Sequence, residues 1–257
     1  MGVEQELATI VPEREVLLTI GVFDGVHMGH RYLIKELNQR AQERNLMSGI
    51  VTFNPHPQSV LRPNDQVPWL SSLENRVSKL REIGVNLITV LSFTPELAQL
   101  SSREFVVLLK KYLKMCGLII GPDFALGRNR QGDASLLYSL GQEMGFTVET
   151  VPPLTADGEV VSSTLIRQAL ANGNMGKVTK LMGCHFRLSG KVISAAKRGQ
   201  RLGFPTANLD IKPGQALPCN GVYATVACLE GKQLASVTNI GTRPTFGEDE
   251  KWVEAHL

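Results

Sequence analysis

At 257 residues the chain can hold one large or two modest domains. Hydrophobic residues make up 43% and charged residues 20%, a balance that excludes a disordered chain. The formal net charge of +3 is too small for a dedicated nucleic-acid binder, so any anion sites must come from local patches. The four cysteines, Cys116, Cys184, Cys219 and Cys228, form no CxxC pair, which argues against a zinc site. Nothing near the N-terminus reads as a signal peptide, and Glu6 stands where a myristoylation signal wants Ser or Thr. No apolar stretch is long enough to span a bilayer. A reduced, soluble, cytoplasmic protein is expected.

In chain order, apolar runs at 16–23, 48–53, 87–92, 117–121 and 146–151 read as strands. Helical patterns fall between them at 29–44, 72–83, 102–114 and 135–144, with Ser72 placed to cap the second. Alternation of this kind predicts right-handed crossovers and a doubly wound, Rossmann-like parallel sheet with both faces covered. Two short helical pieces follow at 162–171 and 176–182, separated by Ala171-Asn172-Gly173-Asn174. After Gly183 short alternating runs take over, at 186–193, 222–229 and 233–239, punctuated by Gly and Pro. They predict a small antiparallel barrel or sandwich, with a domain boundary near Gly183.

The first strand runs into Gly21-Val22-Phe23-Asp24-Gly25-Val26-His27-Met28-Gly29-His30. A Gly-rich turn between a strand and a helix start aims backbone N–H groups and the positive end of a helix dipole at one point, which suits a phosphate. His27 and His30 can share one face of the first helical turn. Gly29 between them lets a bulky ligand approach the backbone. The turn reads as a holder for a triphosphate.

Four further clusters stand beside it. Ser162-Ser163-Thr164-Leu165-Ile166-Arg167 places three hydroxyls at a helix start, but no Glu or Gln completes a capping box, and Arg167 opposes the helix dipole. Such a misfit is more often functional than accidental, though plain caps remain the alternative. Asn54-Pro55-His56-Pro57 follows the second strand; its bland reading is an exposed loop, and its place at a strand's carboxyl end favours a pocket. Gly121-Pro122-Asp123-Phe124-Ala125-Leu126-Gly127-Arg128-Asn129-Arg130 is either an ordinary loop or a wall of the same pocket, with Arg128 or Arg130 near phosphate. In the second domain, residues 197–208 mix basic residues and glycines and end in Gly203-Phe204-Pro205-Thr206-Ala207-Asn208. A backbone of this kind can wrap a polyphosphate. Thr206 and Asn208 would project to one side of an extended segment, facing a hard cation such as Mg²⁺. Near the end, Glu254 reads by itself as a solvent-facing strand residue.

Taken together, GxFDGxHxGH, NPHP, SSTxxR, GFPTAN and the Asn239-Ile240-Gly241-Thr242-Arg243-Pro244-Thr245-Phe246 segment resemble the prokaryotic bifunctional riboflavin kinase/FAD synthetase family, in order and over nearly the whole chain. The resemblance implies an FMN adenylyltransferase domain over residues 1–183, which makes FAD and pyrophosphate from FMN and ATP. It implies a riboflavin kinase domain over 184–257, which makes FMN from riboflavin and ATP. His27, His30 and Arg167 would be catalytic on the phosphates. Gly21, Phe23, Asp24, Gly29, Ser162, Ser163 and Thr164 would bind ATP, and Asn54, Pro55, His56 and Asp123 would line the flavin and nucleotide pocket. In the kinase, Glu254 would be the catalytic base. Gly203, Pro205, Thr206 and Asn208 would bind its nucleotide, with Thr206 and Asn208 organising Mg²⁺. The implied partners are small molecules, with no nucleic acid and no membrane; homo-oligomerisation is left open.

Two departures accompany the resemblance. Pro122, Ala125 and Leu126 stand where the family has a longer polar or aromatic character. Family members also continue past Val253-Glu254-Ala255-His256-Leu257 through further barrel strands and a helix that close the kinase flavin site. The expectation from that difference is an active adenylyltransferase and a crippled kinase. The competing readings are an adenylyltransferase with a dead kinase module, a non-catalytic flavin or nucleotide binder, and an RNA-interacting relative of the HxGH fold.

Overall fold

The structure is a computed structural model that describes residues 2–65, 67–193, 206–242 and 251–257. Two compact units emerge, the first formed by residues 1–67 and 71–163 and the second by 68–70 and 164–257.

In the first unit, β1 (Val16–Ile20), β2 (Met47–Asn54), β3 (Leu87–Ser92), β4 (Met115–Ile120) and β5 (Thr147–Thr150) form a parallel sheet in the order β3-β2-β1-β4-β5. The doubly wound sheet expected from the alternation is present. Between the strands run α1 (Val3–Ala8, ahead of β1), α2 (Met28–Glu43), α3 (Pro57–Leu61), α4 (Leu73–Glu82), α5 (Pro95–Gln99), α6 (Ser102–Leu113) and α7 (Ala134–Met144). Every residue of β1 is buried, because the sheet is covered on both sides. Its side chains alternate between two cores. Val16, Leu18 and Ile20 join one core with Phe105, Leu109 and Leu137, whereas Leu17 joins the other with Ile34, Leu37 and Leu80. Each fully buried leucine of these layers stabilises the unit by roughly 2 kcal/mol.

Helix starts follow local chemistry. Ser72 caps α4 by accepting from Asn75 N, as expected. Ser101 and Glu104 close a reciprocal capping box on α6. The short helices α1, α3 and α5 are too brief to show a periodicity in the sequence and were not anticipated. A small hairpin, β6 (Thr155–Ala156) and β7 (Glu159–Val160), closes the unit.

The second unit contains α8 (Ser163–Ala171, from its second residue), α9 (Met175–Met182) and an antiparallel sheet. The sheet is built from β8 (Gly190–Ile193), β9 (Thr206–Ile211), β10 (Gly221–Leu229), β11 (Lys232–Thr242) and β12 (Lys251–His256). Their order is β10-β11-β12-β9-β8, with β10 and β8 outermost among the described strands. Pro68–Leu70 belongs to this unit through bonds that run along its backbone. Trp69 N donates to Gly214 O at 2.8 Å and Ala216 N donates to Trp69 O at 2.8 Å. The readings on Gly203, Pro205 and 243–246 lie outside the described residues.

Candidate functional site

In the first unit the chain leaves β1 through a turn in which Phe23, Gly25 and Val26 are left-handed, with φ of 54°, 81° and 46°. For Phe23 and the β-branched Val26 this is unfavourable by roughly 1–3 kcal/mol each, so neighbours must hold it. They do. The Val22 carbonyl accepts from Arg76 Nη1 at 2.5 Å and from Thr52 Oγ1 at 3.0 Å. The buried Asp24 carboxylate accepts from Ser71 N at 3.0 Å, and Gly25 N donates to Ser71 Oγ at 2.9 Å. Ser163 Oγ donates to the Asp24 carbonyl at 3.1 Å.

The turn delivers His27 to the N-cap of α2, where its Nδ1 accepts from His30 N at 3.3 Å. In the neutral imidazole this bond puts the proton on Nε2, which is left as a donor. The His27 and His30 rings stack with centroids 3.6 Å apart and 18° between planes, and Phe23 meets His30 edge-on at 5.2 Å. At Gly29 a Cβ would come within 2.9 Å of Val161 O and 3.2 Å of the His27 ring. Only glycine lets α2 start this close to the segment before α8.

Burial pushes His30 well below the ordinary imidazole value, and the neighbouring charges of His27 and Arg76 add to the shift. His30 is therefore neutral at physiological pH. Its Nδ1 is sealed from solvent without a hydrogen-bond partner, although the residue as a whole keeps intermediate exposure. Arg76 is itself 5% exposed, and burial lowers its pKa while Asp24 opposes that.

The imidazoles face a cavity of about 360 Å³. Its walls include Gly29, Asp123, Phe124, Pro152, Ser162 and Ser163 beside the two histidines. It lies where the strand order reverses, between the carboxyl ends of β1 and β4, the place where open α/β sheets hold their ligands. The structure thus brings together His27, Gly29, His30, Asp123, Ser162 and Ser163. Gly21, Phe23 and Asp24 shape the turn from behind. Asn54, Pro55 and His56 do not line this cavity, because β2 stands on the other side of β1 from β4. His56 instead caps α3, its Nδ1 accepting from Gln58 N at 3.1 Å. Arg128 and Arg130 do not line it either; Arg130 Nη2 donates to Asp123 O at 2.9 Å and braces the loop. Thr164 and Arg167 lie on α8 in the second unit, where Arg167 Nε donates to Pro68 O at 2.6 Å.

The sequence reading missed Ser71, Val161 and Arg76. For Arg76 a signal existed. It stands three residues after Leu73 and four before Leu80, where a surface helix places an apolar side chain.

In the second unit, antiparallel pairing sets Glu254 opposite Asn208 and His256 opposite Thr206. Thr206, Asn208 and Glu254 therefore share one face of adjacent strands. The Thr206 hydroxyl is hydrogen-bonded to the Glu254 carboxylate, and Asn208 is 8% exposed. Glu254 is half-buried in this company, so the solvent-facing reading of it is replaced by a partnered one.

A parallel sheet with a strained histidine turn at its switch point, followed by an antiparallel sheet carrying a second polar cluster, defines a two-part nucleotide-handling enzyme. Family models match in the same two parts, FAD synthetase over residues 10–165 and riboflavin kinase over 182–257. The bifunctional riboflavin kinase/FMN adenylyltransferase of Escherichia coli (strain K12) is 38% identical over 248 residues, covering 96% of this chain and 79% of that protein. The protein of the same name from Pseudomonas fluorescens is 36% identical over 260 residues, covering 100% of this chain and 83% of that one. A crystal structure described as a macrolide-efflux protein from Streptococcus pneumoniae superposes with a TM-score of 0.87 at 28% identity, covering 97% of this chain and 82% of that chain. Among the described residues here, no helix is long and apolar enough to cross a membrane. The chain belongs to the bifunctional riboflavin kinase/FMN adenylyltransferase family, whose work is FAD biosynthesis from riboflavin.

Proposed function

We propose that this chain makes FAD in two ATP-dependent steps, with residues 1–183 transferring AMP from ATP to FMN and residues 184–257 phosphorylating riboflavin to FMN. The observation that carries the first step is the stacked His27–His30 pair at the start of α2, facing a cavity at the switch point of the sheet. In adenylyl transfer an FMN phosphate oxygen attacks the α-phosphorus of ATP, and the bond to the β-phosphate breaks with the electron pair leaving on pyrophosphate. The nucleophile is already an anion, so the protein needs no base. Its task is alignment and charge stabilisation. His27 would offer its Nε2–H to the phosphates, held in that tautomer by His30 N. The N-terminus of α2 would add its dipole. Ser162 and Ser163 would steady the phosphate chain, joined in this reading by Thr164 and Arg167. Asp123, with Asn54, Pro55 and His56, would serve the flavin.

For the kinase step, Glu254 would accept the proton of the ribityl hydroxyl as that oxygen attacks the γ-phosphate. Thr206, Asn208 and Glu254 supply oxygen donors on one face, a hard set that suits Mg²⁺. When bound, Mg²⁺ offsets phosphate charge. Small molecules would be the partners and the cytoplasm the setting, with no role for nucleic acid or membrane.

The test is chromatography of flavins after incubating the chain with ATP and Mg²⁺, with FMN in one arm and riboflavin in the other. FAD from FMN should form and fall by about 100-fold or more in His30→Ala, the scale of losing a group preorganised at transferring phosphate. Binding of FMN and ATP with no FAD formed would replace this reading with that of a non-catalytic binder.

A further inference from the structure

Arg76 belongs to none of the predicted clusters and does not line the cavity that the histidines face, yet it is the side chain through which two loops of the first unit meet. It projects from α4 beneath the carboxyl ends of β1 and β2. One arm of the guanidinium donates to Val22 O at 2.5 Å, inside the histidine turn. The other donates to Phe53 O at 3.3 Å, the residue before Asn54-Pro55-His56-Pro57. A third group ties the same pair of strands, since Thr52 Oγ1 also donates to Val22 O. The carbonyl of Asn54 is fixed from the far side by Phe93 N at 3.1 Å. Arg76 is buried and its Nε has no partner, so a positive charge has been taken out of water with one donor unsatisfied. Such burial is unfavourable unless other contacts offset it, and it does not add to stability as an apolar residue would. An apolar side chain at 76 would satisfy the helix pattern, whereas a planar fork reaches a carbonyl of the histidine turn and a carbonyl of β2 at once.

We infer that Arg76 is a positioning residue for adenylyl transfer: its fork sets the histidine turn, which faces ATP phosphate, in fixed register with the loop of Asn54 and His56, which serves the flavin side. This rests on the adenylyltransferase reading above. The left-handed Phe23 directly follows the carbonyl that Arg76 holds, and the left-handed Val26 lies three residues further along the same turn, so loss of Arg76 would let the turn relax. An error of about 1 Å between two bound reactants costs on the order of 100-fold in rate while each can still bind.

The experiment uses the full chain as wild type, Arg76→Lys and Arg76→Met. Stoichiometry and affinity for ATP and for FMN are measured separately by calorimetry, and FAD formation is followed at a temperature well below each variant's melting point. Arg76→Met should bind each substrate at full stoichiometry within about threefold of wild-type affinity, yet lose about 30–100-fold in kcat. Arg76→Lys, with one donor arm and the charge kept, should recover part of that loss. Arg76→Met turning over within threefold of wild type overturns the inference. So does a loss of kcat matched by an equal loss of binding-competent protein, which marks a role in folding alone. An inactive wild type would refute the adenylyltransferase reading itself, and the inference with it.

Discussion

His30 carries a measurable consequence of its burial. Its folded pKa is pushed well below the ordinary value of 6.5, first by desolvation and then by the charges of His27 and Arg76. Well above pH 6.5 the ring is neutral in both folded and unfolded chains, and it makes no pH-dependent contribution. As pH falls below 6.5 the unfolded chain takes up a proton that the folded ring refuses, so stability falls with pH down to the folded pKa. The exposed carboxylates with lowered pKa, Glu4, Glu96, Glu104 and Glu143, act in the same sense but below 4.5. Between pH 6.5 and 5, His30 can therefore be isolated by difference. Melting temperatures across this range should fall more steeply in wild type than in His30→Gln, and parallel curves would show that the ring is not held neutral.

The strand pair β9 and β12 turns two weak sequence signals into one cluster. Glu254 is far in the chain from Thr206 and Asn208, and their meeting depends on antiparallel register, which no local pattern encodes. Glu254→Gln keeps the shape and a hydrogen-bond partner for Thr206 but removes the carboxylate proposed as the base. FMN formation from riboflavin should drop by about 10²–10⁴-fold, while FAD formation from FMN stays within about twofold, both read from the same flavin chromatogram. An equal loss in both reactions would show that Glu254 serves folding instead of proton transfer. The same contrast explains what was legible beforehand. The parallel sheet was readable because buried strands and amphipathic helices write themselves as runs and periods. Leu87–Ser92 emerged with the bounds its apolar run suggested. The histidine turn was readable because its chemistry is contiguous. Arg76 and Ser71 were not, since they reach Val22 and Asp24 across a gap of about fifty residues. The strain at Phe23 and Val26 was hidden too, because neither residue type announces a left-handed backbone. Nor could the position of β2 relative to β4 be read, and that position is what keeps His56 off the cavity wall.

At the scale of the molecule, the two units differ in how much apolar surface they bury. Among the described residues, both large clusters of buried side chains belong to the first unit. The antiparallel sheet of the second leaves Val222 69% and Val226 61% exposed along β10. Fewer buried side chains mean less to offset chain entropy, so the second unit should unfold first. The sequence supplies its own reporter. Both tryptophans, Trp69 and Trp252, belong to the second unit, the first through the excursion of Pro68–Leu70 and the second through β12. The Trp69 indole donates to Pro213 O at 3.3 Å, so its emission reports on local packing there. Far-UV circular dichroism is instead dominated by the long helices α2, α4, α6 and α7 of the first unit. In a denaturant titration the tryptophan transition should have its midpoint at lower denaturant than the dichroism transition, since two-state coincidence fails when parts unfold separately. Trp69→Phe, leaving Trp252 as the single reporter, should preserve the order. Superposed transitions in both chains would mean that the chain unfolds as one cooperative fold, and that the difference in buried apolar surface does not govern how it comes apart.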